Sequence, residues 1–479
     1  MSPSESTSQA SPADPQPTHA QTTHAQPGHA QPNLRALTIG ILTIVFSVAF
    51  QAIAVATAMP AAAEQLGQLD LFAWAFSLFV IGMSLSTVLG GRASDRFGPI
   101  APAMLGVVLF GIGLVLAALA QTMLVLVVAR FVQGLGGGLL NVSLMVIVAR
   151  LWDEHRRAVL MTAFSFCWVL PAFIGPPVAA FLTHRWGWNV VFWSVVPVLV
   201  AASALCVGPL VRLRDHLRPH PEQGSAVPVW AAVLVSLGLA GLQAGGQRLD
   251  WVGLTLAVVA GVAIALSVRP LMAPGFLQLA PGIPAVSWAR LLQAGSFFAT
   301  ESFLPLALVQ LRGLTLFQAG LALTIGSVGW TLGSWLQSRP WLRLRRDVFI
   351  QVGTAFHVVA LVLVSLAIWF DWHLAVVALS WTFAGLGMGL ATASGTLAVM
   401  QLSTPERLGR NTSSLQVSES MGNALLVGVA GTLFAGLRGA HLSSTVFASV
   451  FSVMGVVAVL ALLVSRRIGP VRNASASST

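Results

Sequence analysis

The sequence predicts an all-α polytopic membrane protein with fourteen transmembrane helices. Three observations favour this fold class: 56% of the 479 residues are apolar, only 8% are charged, and the apolar residues fall into long runs separated by short polar segments. Soluble domains carry about 25% charged residues, so a chain of this composition could not cover a water-facing surface. The composition therefore excludes a soluble globular protein.

Fourteen apolar runs have the length that a membrane crossing needs. A helix of about 20 residues spans the hydrocarbon core of a bilayer. The predicted spans have the approximate bounds 36–59, 71–91, 99–120, 123–148, 158–182, 188–210, 227–246, 250–269, 285–309, 314–336, 347–370, 373–399, 416–438 and 443–465. The lipid bilayer is therefore the first predicted partner of the chain.

The arginines predict how the chain is oriented in the membrane. All 25 basic residues are arginines, and the formal net charge is +10. If the N-terminus lies inside, nineteen arginines fall at cytoplasmic helix ends and only four in outer loops. Cytoplasmic loops carry an excess of basic residues, so the chain is predicted to span the cytoplasmic membrane with both termini on the cytoplasmic side. This placement explains the positive charge without a nucleic-acid partner.

Two similar segments indicate a duplicated unit. Residues 333–339 follow a helix and precede a basic turn, as residues 91–97 do. Paired halves around a central site are the usual plan of secondary transporters. The predicted division is a disordered cytoplasmic tail (1–34), a six-helix bundle (35–210), a cytoplasmic linker (211–226), a two-helix insert (227–270), a second six-helix bundle (285–466) and a cytoplasmic tail (467–479).

A charged segment, Gly90–Gly98, separates the second and third apolar runs. Because it stands between two spans, it is predicted to form a tight turn at the membrane surface. The segment resembles the signature loop of major facilitator superfamily transporters, and the resemblance implies an inner gate latch. The residues assigned to this gate motif are Gly91, Arg92, Asp95, Arg96 and Gly98.

Further stretches resemble the fourteen-helix drug:proton antiporter branch of this superfamily. Residues 53–60 are similar to its Thr-Ile-Val-x-x-Ala-Leu-Pro, and residues 130–136 match Arg-x-x-Gln-Gly-x-Gly. Gly175 and Pro176 are the core of its antiporter motif. The resemblance implies the major facilitator fold, two six-helix bundles with a two-helix central insert. It also implies that Gly175 and Pro176 seal the inner half of the pore.

The glycines of the fourth apolar run allow two interpretations, a phosphate-binding loop and close helix packing. Gly134 and Gly136 resemble a phosphate-binding loop, but no strand precedes them and the segment is apolar, so close helix packing is favoured. Gly175 and Pro176 are predicted to allow a kink or a tight contact, because proline lacks an amide hydrogen.

Three ionisable residues inside predicted spans are candidates for proton coupling: Glu301, Arg130 and Glu419. Charged groups at the bilayer centre cost several kcal/mol and are usually functional. A carboxyl group in an apolar surround can load and release protons near neutral pH, so Glu301 is the predicted proton carrier. The alternatives are a structural Glu301 neutralised by Arg130 or a helix neighbour, and a Glu419 stabilised only by the dipole of a nearby helix start.

Polar and aromatic side chains inside the spans are candidates for a cargo site. Gln51 stands where the antiporter branch usually has an aspartate, which leaves Glu301 as the most central carboxylate. The candidate cavity residues are Gln51, Gln133, Asn141, Phe297, Phe298 and Trp330. Aromatic residues in spans more often pack helices than bind ligands, and this alternative stays open.

The residues and the resemblance together predict a proton-coupled exporter of lipophilic or amphiphilic small molecules, working by alternating access. The proton gradient is the expected energy source, with no cofactor or metal, and a monomer is expected. The alternatives are export of an endogenous lipid or metabolite by the same fold, and a non-transporting receptor or enzyme. An enzyme is disfavoured because the sequence shows no nucleophile–base pair, metal-ligand cluster or soluble catalytic domain.

Overall fold

The computed structural model describes residues 34–152, 154–217, 228–248, 250–339, 341–342, 344–404, 408–437 and 442–471. Residues 1–33 of the predicted disordered tail, most of the predicted linker and residues 472–479 of the predicted C-terminal tail lie outside these ranges, whereas residue 34 begins the first helix. Within them the chain forms α-helices and short 3₁₀ turns, with no strand.

Seven helices form the first half of the chain. Their bounds are Leu34–Leu66 (α1), Trp74–Phe97 (α2), Ile100–Ala118 (α3), Met123–Leu151 (α4), Glu154–Trp186 (α5), Val190–Trp193 (α6) and Val195–Arg212 (α7). The short α6 leads directly into α7, and together they make one membrane crossing.

Eight helices form the rest of the chain. Their bounds are Val229–Gly246 (α8), Trp251–Leu271 (α9), Ile283–Arg312 (α10), Leu316–Leu336 (α11), Arg346–Trp369 (α12), Leu374–Leu402 (α13), Leu408–Leu437 (α14) and Ser444–Ser465 (α15). With α6 and α7 counted together, the described residues contain fourteen helices long and apolar enough to cross a membrane. The fourteen predicted spans are therefore confirmed.

Polar residues mark several helix starts. The Thr122 side chain accepts a hydrogen bond from the backbone amide of Val125, and the Asp250 carboxylate accepts one from Gly253 at 2.7 Å. Thr315 forms a capping box at the start of α11. Such caps satisfy amides that have no intrahelical partner.

The start of α14 differs most from the prediction. The span was predicted from residue 416, but α14 begins at Leu408. Asn411 and Ser414 make this first stretch polar, yet both side chains are bound: Asn411 Nδ2 donates to Ser403 Oγ, and Ser414 Oγ accepts from the Ala273 amide. Hydropathy alone therefore placed the start of the helix two turns too late.

The two halves repeat one packing pattern. In the first half α4 packs on α2 and α3, and α1 packs on α5 and α7. In the second half α13 packs on α11 and α12, and α10 packs on α14 and α15. The fold is thus two six-helix bundles with α8 and α9 inserted between them in sequence.

Glycines allow the closest helix contacts of both halves. A Cβ atom on Gly134 would collide with the Phe79 carbonyl oxygen, and one on Gly136 would collide with the backbone of Phe110. In the second half a Cβ atom on Gly385 would collide with the carbonyl oxygen of Gly326. Both halves therefore use small residues to bring helix backbones together within the membrane.

The insert touches both halves through α8, which lies against α2 and α14. Ser77 Oγ in α2 donates a hydrogen bond of 2.5 Å to Gln243 Oε1, and Trp74 Nε1 donates one of 2.8 Å to Gln247 Oε1. On the other side, Gly246 fits against Thr432 of α14. The insert is therefore packed into the seam between the bundles.

The two membrane faces can be defined by the helix ends. The N face is the one on which α1 begins and α15 ends, and the opposite face is the other. Near the opposite face the rings of Phe72, Phe303 and Phe434 join the two halves, with centroid distances of 5.3 and 5.2 Å. All three side chains are fully buried. The halves are thus in close contact at this level.

Candidate functional site

The gate motif is helical, which corrects the predicted tight turn. Residues 90–97 form the last two turns of α2, and the turn to α3 consists only of Gly98 and Pro99. Gly98 has φ 79°, a conformation that favours glycine, so the helix ends there. The predicted surface position at the N face fits this helix end.

The small residues of the gate motif pack on α4, while its arginines face outward. Ser94 Oγ lies 3.4 Å from Ser143 Oγ, and Gly91 faces Val142. Arg92 and Arg96 are exposed, and Asp95 is half-buried. The motif therefore presents charge at the N face, as a latch would need, and the latch itself stays a prediction.

The second copy of the motif lies at the corresponding end of α11. Ser334 Oγ donates a hydrogen bond of 3.4 Å to the Gly389 carbonyl oxygen of α13. Gln337 Oε1 accepts one of 2.6 Å from Arg346 Nη1, which joins the ends of α11 and α12.

Arg130 is buried within the first half and is held by neutral groups. Its Nε donates a hydrogen bond of 3.2 Å to the Ala75 carbonyl oxygen, and its Nη1 donates one of 2.7 Å to Gln133 Oε1. The Gln51 carbonyl oxygen lies 3.5 Å from the same Nη1, and the guanidinium stands 4.1 Å above the Phe79 ring. Arg130 thus ties α4 to α1 and α2.

The three amides proposed for the cargo site differ in exposure. Gln51 and Gln133 are fully buried, and Gln51 Nε2 donates a hydrogen bond of 2.9 Å to the Val191 carbonyl oxygen. In this conformation both bind the protein itself. Asn141 lies near Trp168 and is half-buried, so it is the one of the three that is partly exposed.

Glu301 lies in α10, half-buried, without a hydrogen bond or ion pair to any other described residue. The predicted alternative in which Arg130 neutralises Glu301 is therefore wrong in this conformation, because the Arg130 guanidinium is bound within the first half. An unpaired carboxyl group in a membrane-spanning helix is the arrangement expected of a group that exchanges protons.

Phe297, one turn before Glu301, is the centre of an aromatic cluster. The other members, with centroid distances from Phe297, are Phe298 (5.4 Å), Trp330 (5.5 Å), Trp381 (4.8 Å) and His357 (6.0 Å). Phe297 and Trp381 are buried, whereas Phe298 and Trp330 are half-buried. The predicted cavity residues Phe297, Phe298 and Trp330 therefore lie together, and two of them expose ring surface.

Sequence reasoning did not single out His357. It is fully buried in α12, and its Nε2 lies 3.0 Å from Ser296 Oγ of α10. A lone histidine in an apolar run was the available signal, but the Ser296 partner is 61 residues away in sequence.

Sequence reasoning also missed the partner of Glu419. Arg290 Nη1 of α10 lies 3.2 Å from Glu419 Oε2 of α14, so the two form an ion pair. Because α14 begins at Leu408, Glu419 lies three turns inside the helix. The predicted stabilisation of Glu419 by a helix start is therefore wrong.

Pro176 and its neighbour Pro177 shape the contact between α5 and α11. Neither proline can donate to the carbonyl four residues before it. Ser327 and Thr324 of α11 donate to those two carbonyl oxygens, on Ala172 and Phe173, at 3.0 and 3.3 Å.

The contact between α5 and α11 lies nearer the opposite face. Gly175 packs on Ala54 of α1, and Gly320, in the second turn of α11, packs on the Pro176 carbonyl. Because α11 begins at the opposite face, the contact runs from mid-membrane toward that face. The seal of the inner half of the pore, which the resemblance implies for Gly175 and Pro176, stays a prediction.

Known proteins resemble the chain in sequence and in fold. A family model described as Major Facilitator Superfamily matches residues 41–422. Multidrug resistance protein 3 of Bacillus subtilis (strain 168) is 27% identical over 289 residues, 58% of this chain and 56% of that protein. The chain thus matches little more than half the length of this relative.

A second relative matches over a greater length. Multidrug efflux pump SdrM of Staphylococcus aureus (strain N315) is 23% identical over 402 residues, which cover 83% of this chain and 89% of that protein. A crystal structure of a POT family transporter with 5-aminolevulinic acid superposes with a TM-score of 0.66 at 18% identity, covering 91% of this chain and 96% of that one. This structural likeness shows the fold alone.

These matches agree with the resemblance drawn from the gate, Arg130 and Gly175–Pro176 motifs. The named relatives are transport proteins and not enzymes, as the sequence led us to expect of this chain. The family model covers most of the chain from the first span to α14. The chain belongs to the major facilitator superfamily.

Proposed function

We propose that the protein is a proton-coupled exporter of lipophilic or amphiphilic small molecules that works by alternating access. One observation carries this proposal: Glu301, without a partner among the described residues, lies one turn along α10 from Phe298, whose partly exposed ring stands 6.4 Å from that of Trp330. A carboxyl group that changes charge next to an aromatic surface can link proton binding to the binding of an apolar cargo.

The proposed cargo site lies in the second bundle, on α10, a helix that also packs against α1 of the first bundle. Aromatic rings supply apolar contact area and can face a cationic group. A negative Glu301 attracts a cationic or polarised part of the cargo, and a protonated Glu301 releases it. Competition between the proton and the cargo for this side chain would give the exchange that an antiporter needs. The named multidrug relatives are consistent with such a cargo.

The arginines support the proposed orientation in the cytoplasmic membrane. If the N face is the cytoplasmic face, most arginines lie on the cytoplasmic side of the membrane. Both termini would then be cytoplasmic. The proton gradient would supply the energy without a cofactor, a monomer would suffice, and no nucleic acid is needed.

The packed aromatic contact near the opposite face fits one state of the proposed cycle. Phe72, Phe303 and Phe434 close the seam between the halves at that level. In the proposed orientation this is the outer side, so the described conformation is closed outward. The gate motif at the N face would close in the alternate state, when the outer seam opens.

Flux measurements test the proposal. Purified protein in liposomes with an imposed pH gradient is assayed against a diverse panel of lipophilic cations, neutral amphiphiles and lipids. We expect gradient-driven movement of the amphiphilic members. Movement of lipid substrates alone would instead support the alternative of lipid export by the same fold. No cargo movement under any gradient would contradict a transport function.

A further inference from the structure

Arg290 and Glu419 form an ion pair inside the second bundle. The two side chains are 5% and 24% exposed, and Nη1 lies 3.2 Å from Oε2. A buried cation is stable only with a nearby counter-charge or several hydrogen bonds. Loss of the Glu419 charge would therefore leave Arg290 in an unfavourable position.

The Arg290 guanidinium also binds a third helix. Its Nη2 donates to the Thr392 carbonyl oxygen and lies 3.3 Å from Thr396 Oγ1, both in α13. One side chain thus connects α10, α13 and α14. The backbones of α10 and α14 meet beside the pair, because a Cβ atom on Gly422 would collide with the Leu291 carbonyl oxygen.

The helices joined by this pair are also the ones that touch the first bundle. Helix α10 packs against α1, and α14 packs against α2 and the insert helix α8. A change in the packing of α10, α13 and α14 therefore alters the surface on which the second bundle contacts the first.

Charged groups around the pair are sparse. Within the described ranges, α11, α13 and α15 carry no Asp, Glu, Lys, Arg or His. His357 of α12 bonds to Ser296, nearly two turns further along α10. Glu301 lies three turns further along α10. The other charged residues on α10, α14 and the elements packed against them lie at helix ends: Arg35, Glu64, Asp70, Arg92, Asp95, Arg96, Arg269, Arg312, Arg346, Asp347, Arg410, Arg466 and Arg467.

We propose that Arg290 is a positioning residue that turns protonation of Glu419 into a change in helix packing. This rests on the proposed function, a proton-coupled transport cycle, and adds Glu419 to Glu301 as a group that takes up a proton during it. The ionised carboxylate holds Arg290 against α13 and α14. When a proton adds to a Glu419 oxygen, the charge pair is lost, and the conformation that hydrates the Arg290 guanidinium is favoured. Loss of the proton restores the pair.

Hydrogen-exchange mass spectrometry at two pH values tests this proposal on the full chain. Exchange rates of peptides from α10, α13 and α14 are corrected for the intrinsic effect of pH. In the wild type we expect protection at the lower pH to fall about fivefold or more, the scale of a typical coupling between two sites. Arg290→Gln and Glu419→Gln should show low protection at both pH values, and Arg290→Lys should keep part of the response.

Arg312→Gln is the matched control, because Arg312 pairs with the exposed Asp371 at the other end of α10. That variant should keep the full pH response. A full response in Arg290→Gln, or no response in the wild type, would overturn the proposal. Absence of gradient-driven flux in the wild type would contradict the proposed function alone, since the exchange response measures the ion pair without transport.

Discussion

The Ser327 hydroxyl of α11 donates a hydrogen bond of 3.0 Å to the Ala172 carbonyl oxygen of α5. Pro176 leaves this carbonyl without its intrahelical donor, since proline has no amide hydrogen. A buried carbonyl without a partner costs free energy, so a proline in one bundle creates an acceptor that a hydroxyl in the other bundle fills. The antiporter motif therefore acts here as a docking point between the halves.

Ser327→Ala should weaken this docking. The variant leaves the Ala172 carbonyl without the hydroxyl, at an expected cost of about 1–3 kcal/mol in unfolding free energy. Thermal unfolding in detergent measures the loss. Thr331→Ala is the control, because Thr331 donates only to the Ser327 carbonyl within α11 and is exposed. Equal effects of the two substitutions would contradict the docking role of Ser327.

Glu301→Gln should abolish gradient-driven transport, with a loss of at least about tenfold, because an amide of the same shape cannot exchange a proton. Exchange of a neutral amphiphile without a pH gradient should continue, since the aromatic rings that contact it are unchanged. Flux in liposomes measures both. Glu64→Gln, which removes an exposed carboxylate at the end of α1, should leave both rates unchanged. Unchanged coupled flux in Glu301→Gln would exclude the residue from proton coupling.

Asp95→Asn should slow conformational cycling more than it weakens cargo binding. Asp95 is in the last turn of α2 at the N face, away from the Phe297 cluster, so its charge bears on the gate and not on the cargo. Measuring the turnover rate and the cargo dissociation constant separately distinguishes the two effects. A change confined to the dissociation constant would be incompatible with a gate role.

Gly134→Leu should destabilise the first bundle strongly. A Cβ atom at this position already collides with the Phe79 carbonyl oxygen, so a larger side chain must push α2 from α4, at about 1–3 kcal/mol or more. Gly261→Leu on α9 is the control, since no atom lies within 4 Å of its added Cβ. Thermal unfolding should separate the variants clearly. Similar stability of both would show that α2 and α4 can adjust.

Asp347→Ala should release the C-terminal end of the described chain. The Asp347 carboxylate accepts hydrogen bonds from Arg345 and, at 2.9 Å, from the Val471 amide, and it is 2% exposed. Removing it leaves a buried amide unpaired, at about 1–3 kcal/mol. Hydrogen exchange at residues 468–471 should then increase. Asp371→Ala, in an exposed ion pair, should have a smaller effect, within about 1 kcal/mol.

The sequence allowed the fold to be predicted because membrane crossings depend on composition and length. It failed where polar residues continue a helix. Asn411 and Ser414 hid the first turns of α14, because hydropathy does not register the partners, Ser403 and Ala273, that bind them. Likewise Gly90–Phe97 appeared to be a turn because of its charges, although nothing in it prevents a helix before Gly98.

The candidate site was only partly predictable. Glu301 and Phe297 are four residues apart, so helical spacing alone predicts that they share one face of α10. The partners of Glu419 and Ala172 are 129 and 155 residues away, and only the tertiary packing selects them. Spacing along a chain cannot identify such pairs without a contact map.

The insert helix α8 has a mechanical consequence. It forms a hydrogen bond with Ser77 of one bundle and packs against Thr432 of the other, so both bundles contact the same helix. If one bundle rocks against its counterpart, α8 can keep only one of these contacts unchanged. In the proposed cycle each turnover would therefore include a slip along one side of α8, and the friction of that slip would limit the rate of transport.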